Sequence, residues 1–76
     1  MKAKYRHEGS DCLIYDQVFC VDNIFITIRS YRSGWFDAEP EIITKLCLTN
    51  AEAKRMFYNT CVKLERNNYI CEYKEV

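Results

Sequence analysis

One proline, two glycines and one histidine are all that these 76 residues contain of three types on which many sites depend. So little glycine leaves no Gly-rich loop to cradle a phosphate. A lone His7, on the N-terminal segment, offers neither a metal-binding pair nor a partnered general base, and reads as a solvated side chain. Charge of one sign is lacking too. Eleven basic and eleven acidic side chains cancel, which removes the simplest electrostatic case for nucleic acid and for an acidic mimic of it. No apolar run approaches the ~20 residues that cross a bilayer. Met1 to Glu8 carries basic residues with no apolar segment behind them, unlike a secretory leader, so the expected compartment is the cytoplasm, with no membrane partner. The five cysteines, Cys12, Cys20, Cys47, Cys61 and Cys71, contain no Cys-x-x-Cys pair and fall within expected strands or the helix. They read as reduced, buried thiols acting as small hydrophobes, and no metal site or cofactor is expected.

What is present is a folded composition, 49% hydrophobic and 14% aromatic, of a length that suits a single small domain spanning 1–76. The plainest local signal is a helix over about 50–66. Ala53, Met56, Phe57, Thr60, Cys61 and Leu64 repeat at the three- and four-residue spacing of one helical stripe. Thr49 followed three residues on by Glu52 matches a capping box, Lys63 and Arg66 suit the negative end of the helix dipole, and Asn67 or Asn68 can stop it.

Before the helix the period falls to two. Residues 12–21 and 24–31 form a hairpin about Asp22-Asn23, read as a type I′ turn, in a register that opposes Val21 to Ile24, Phe19 to Ile26 and Asp16 to Arg29. Leu13, Tyr15, Phe19, Val21, Ile24, Ile26 and Ile28 make the more apolar face, which is expected to meet the helix. Ile14, Asp16, Val18, Phe25, Thr27, Arg29 and Tyr31 then fall on the open face. Residues 41–48 and 69–74 read as further strands, and 2–7 as a fifth before the Gly9-Ser10-Asp11 turn. The expected fold is α+β, a two-layer antiparallel sheet of four to five strands with one amphipathic helix on one face.

The segment from Tyr31 to Pro40 holds the only tryptophan and combines aromatic and guanidinium groups, the types enriched at binding hot spots. The expected partner-binding residues are Arg29, Tyr31, Arg32, Trp35 and Phe36, continued by Phe25 on the open face. Packing of Trp35 and Phe36 back onto a small core is the bland alternative. Asp37, Glu39 and Glu41 cluster near Pro40 in the manner of solvated surface acids. No serine or cysteine sits in a nucleophile-elbow setting, so no enzyme and no catalytic residue is expected.

Two strands, a loop with Gly and Trp, a further strand, a helix opening Ala51-Glu52-Ala53-Lys54 and the later Asn68-Tyr69 pair are similar to the element order of WGR domains, which are associated with DNA-processing proteins. The likeness spans about residues 12–73. Ser33-Gly34-Trp35 occupies the place of the diagnostic Trp-Gly-Arg tripeptide, so the resemblance assigns no functional residue. The small size also resembles phage-encoded inhibitors and accessory proteins. The expected function is a non-enzymatic interaction module, an inhibitor or adaptor that docks on a larger protein. Alternatives are a nucleic-acid-binding accessory module using Lys2, Lys4, Arg6 and His7 with the aromatic loop, and a homodimer or other homo-oligomer formed through the open sheet face.

Overall fold

A computed structural model describes residues 1–9, 11–33 and 39–76. Five strands, β1 (Lys2–Glu8), β2 (Cys12–Val21), β3 (Ile24–Ser33), β4 (Glu41–Leu46) and β5 (Ile70–Glu75), form one antiparallel sheet. Among the described residues a single helix, α1 (Asn50–Arg66), packs across β2 and β3. The strand order is β4-β3-β2-β1-β5, so the chain runs as a four-stranded meander, crosses the sheet through α1 and adds β5 beside β1. The α+β architecture and the helix bounds agree with the sequence reading. Several strand ends shift by one or two residues: β1 runs on to Glu8 rather than 7, β3 to Ser33 rather than 31, β4 stops at Leu46 rather than 48, and β5 spans Ile70–Glu75 rather than 69–74.

The hairpin register is as expected, with Val21 opposite Ile24, Phe19 opposite Ile26 and Asp16 opposite Arg29. The turn differs. Only Asp22 takes a left-handed φ, 53°, whereas a type I′ turn needs positive φ at both central residues. Asn23 instead ties the turn to the end of β4: its carbonyl accepts from the Cys47 N–H at 2.8 Å, and its side-chain amide donates to the Cys47 carbonyl at 2.9 Å.

The helix lies on the face opposite to the one expected. Ala3 and Tyr5 of β1, Val18 and Cys20 of β2 and Phe25 of β3 pack with Ala53, Phe57, Cys61 and Leu64. The reason lies in β1, which alternates Ala3, Tyr5 and His7 against Lys2, Lys4, Arg6 and Glu8. Pairing Ala3 with Val18 and Tyr5 with Asp16 puts the charged set beside Phe19 and Tyr15. A helix on that side would have buried three cations, at a cost the extra isoleucines cannot offset. Small residues on the chosen side, Ala3, Cys20, Ala53 and Cys61, let the two layers approach closely. Full burial of a side chain such as Phe57 contributes roughly 1.5–3 kcal/mol, and its truncation to alanine leaves a cavity on top of that loss.

Both ends of α1 are closed by named contacts. The Thr49 hydroxyl accepts from the Glu52 N–H at 3.1 Å, while the Glu52 carboxylate accepts from the Leu48 N–H at 3.2 Å, one residue earlier than in a standard capping box. At the other end Asn68 is left-handed, φ 65°, and donates to the Glu65 carbonyl, and the Tyr69 N–H reaches the Leu64 carbonyl at 3.0 Å. This is the Schellman pattern, with Tyr69 also packing on the core near Leu64. The cysteines divide: Cys20, Cys47 and Cys61 are buried, but Cys12 and Cys71 are exposed, contrary to the expectation of five buried thiols. Every residue of β5 is exposed at its sheet edge, which accounts for Cys71.

Candidate functional site

Because α1 sits over β2 and β3, no element among the described residues covers the helix side of β4, and Ile43 there is 60% exposed. A cleft of about 550 Å³ opens between this strand and the C-terminal half of α1. Its floor is the buried Asp16, whose two carboxylate oxygens accept from Nε and Nη2 of Arg29, each at 2.8 Å. The planar fork matches the carboxylate and gives a charge-assisted, bidentate pair rather than the exposed pair expected on an open face. These hydrogen bonds hold the Arg29 guanidinium charged well above its ordinary value, against the opposing pull of burial. Glu41 lies opposite Arg29 on β4, and Thr60 and Lys63 enter from the helix. At the far end His7 packs on Tyr69, ring centroids 4.8 Å apart. Burial raises the Tyr69 phenol above its usual range, with the Arg29 charge working the other way. Cations and carboxylates are mixed in this cleft, so it attracts no single sign of charge.

His7 thus belongs to a strand beside α1 instead of a mobile arm. The basic segment is divided between two sides of the sheet: His7 faces the cleft, and Lys2, Lys4 and Arg6 face away. Lys2 lies 3.7 Å from Glu75, Arg6 lies 3.5 Å from Glu8 and 4.0 Å from Glu72, and Lys4 stands 4.9 Å from the Tyr15 ring centroid.

The described members of the expected binding patch do not form one surface. Phe25 is a core residue, 5% exposed, because it shares the helix side with Val18 and Cys20. Arg29 and Tyr31 are half-buried on that same side, and the exposed Arg32 points to the other. Trp35 and Phe36, with Asp37 of the acidic cluster, lie outside the described residues.

The uncovered side of the sheet presents a different surface. Register places Ile42 beside Ile28, Thr44 beside Ile26 and Phe19, and Leu46 beside Ile24 and Val21. These positions on β2, β3 and β4 carry no charge down to Arg32 at the end of β3. The neighbouring half, on β1 and β5, carries Lys2, Lys4, Arg6, Glu8 and Glu75. Val21, Ile42 and Leu46 are each more than half exposed. Sequence reasoning grouped most of these apolar residues correctly but assigned them to the core, and the alternation of β1 was the signal that separates the sides.

Among the described residues no group of three or more His, Cys, Asp or Glu side chains is arranged to hold a metal ion, and no helix is long and apolar enough to cross a membrane. No family model, curated protein or solved structure matches the chain.

Proposed function

We propose that this chain is a non-enzymatic protein-binding module that docks on a larger protein through the apolar half of its open sheet face. The observation that carries the reading is the charge-free run of Phe19, Ile26, Ile28, Ile42 and Leu46 on a side that no element among the described residues covers. Apolar area bordered by charge is the anatomy of a protein contact, where the desolvated centre supplies affinity and the rim sets orientation. Lys4 and Arg32 border this area, which suits a partner with an apolar surface flanked by acidic groups. The cleft supports the reading less well, because its only strongly held polar pair is satisfied internally by Asp16 and Arg29.

The test compares wild type with Phe19→Glu, a substitution on the open face, in capture from the source cell followed by affinity measurement on the retained protein. Wild type is expected to hold its partner, and Phe19→Glu to lose about tenfold or more in affinity while remaining folded. Equal retention by both proteins would remove the open face from consideration.

A further inference from the structure

We propose that a second copy of this chain pairs with β4, antiparallel and centred on Ile43, so that two sheets join across a twofold axis. The inference concerns the sheet's edge and stands independently of the face reading above. β4 is an edge strand, and all six of its residues are exposed. The bond from the Cys47 N–H to the Asn23 carbonyl shows which backbone groups are already used. Antiparallel strands alternate the direction of their N–H and C=O groups, and the β3–β4 register runs unbroken from Ile24 opposite Leu46 to Arg29 opposite Glu41. Odd positions therefore turn toward β3. Ile42, Thr44 and Leu46 present their backbone groups along the free edge, a template for another strand.

The sequence of β4 fits itself in one twofold register. With Ile43 on the axis, Glu41 of each copy meets Lys45 of the other, Ile42 meets Thr44, and Ile43 meets its own counterpart. Ile42 and Thr44 exchange backbone hydrogen bonds on both sides of the axis. Glu41 with Lys45, and Ile43 with Ile43, fall at the non-hydrogen-bonded positions, where opposed side chains come closest. Among the described residues no ion pair involves Glu41 or Lys45, so both charges await this match. The other edge is unlike it. β5 is interrupted by a register shift against β1 between Lys4 and Tyr5, and Glu72, Lys74 and Glu75 already pair with Arg6, Glu65 and Lys2. Joining two β4 edges would also set the apolar halves of two open faces side by side.

Sedimentation equilibrium on five samples tests the register: wild type, Glu41→Lys, Lys45→Glu, the double swap, and an equimolar mixture of the two single variants. Wild type is expected to associate by about 100 µM, as a small contact allows. Each single swap places like charges opposite each other twice and raises the dissociation constant about tenfold or more. The double swap and the mixture restore association, which also shows that the substituted chains are folded. A wild type that stays monomeric overturns the proposal. So does association indifferent to the single swaps, the result expected of contact through the open face or of pairing centred on Thr44, and so does failure of both restorations. Phe19 lies two strands from this edge, so losing either the edge or the face leaves the other standing.

Discussion

Asp16 and Arg29 are unequal members of their pair, because the carboxylate is buried while the Arg29 side chain is 39% exposed. Removing the cation strands a charge away from water; removing the charge from Asp16 leaves a guanidinium that solvent can still reach. Arg29→Met is therefore expected to cost about 3 kcal/mol or more, and Asp16→Asn clearly less, in urea denaturation at neutral pH. An equal cost for both would mean that the carboxylate is hydrated after all. Tyr5 supplies a second test at this scale. Its hydroxyl is fully buried with the Cys61 thiol, a weak partner, beside it and no well-formed hydrogen bond among the described residues; burial drives the phenol far above its usual range, and Cys61 reinforces the effect. Burial raises the Cys61 thiol as well. In each case the folded chain holds its proton more tightly than the unfolded one, so stability is complete below the unfolded pKa and falls as pH rises beyond it. The decline should begin near pH 9, where the unfolded thiol ionises, and steepen above about pH 10 with the phenol. Tyr5→Phe should keep or raise stability at pH 7, by up to about 1 kcal/mol, and flatten the alkaline limb. A large loss at pH 7 would show that the hydroxyl has a bonding role.

At the scale of the elements, α1 is where local sequence and structure agree most closely, since caps and periodicity act within a few residues. Thr49, Glu52 and the apolar stripe were legible because their physics is local; that Glu52 bonds the Leu48 N–H instead depends on the path of the chain entering the helix. Asn68 was legible only as one of two stop residues, and the structure gives it the left-handed role. Asn68→Gly is expected to be neutral or mildly stabilising, and Asn68→Val to cost about 1–2 kcal/mol in the same denaturation assay, because a β-branched residue resists φ of 65°. The opposite ranking would mean that the Asn68 side chain, not its backbone, matters. The strands were harder to read. Pairing within the β2–β3 hairpin follows from sequence alternation and turn length, but the choice of buried side is a property of the whole sheet. Considered alone, the hairpin favours its isoleucine-rich face; with β1 beside β2, Lys2, Lys4 and Arg6 forbid it. Phe25 was misplaced for this reason, so the described members of the expected binding patch do not share one exposed surface, whereas the Asp16–Arg29 pair was identified correctly but on the wrong side.

For the whole molecule, the decisive property is the inequality between the two sides of one sheet, and adjacent residues of β2 measure it. Val18 is fully buried beneath α1 against Ala3, while Phe19 faces the uncovered side between Lys2 and Ile26. A carboxylate at position 18 would have to be desolvated between the layers with no cation assigned to it, a cost of several kcal/mol that a domain with total stability of about 5–15 kcal/mol can scarcely absorb. The same group at position 19 loses some apolar contact with its sheet neighbours but keeps access to water and gains Lys2 alongside. Val18→Glu is thus expected to unfold the chain or lower its melting temperature drastically, and Phe19→Glu to change it far less, as followed by circular dichroism on heating. The comparison also bears on function, because a face that exists to be covered by another protein should tolerate charge in the isolated chain and fail only when its partner is present. Comparable unfolding by both substitutions would mean that the isoleucine-rich side contributes to the monomer's own core, and the docking proposal would lose its physical basis.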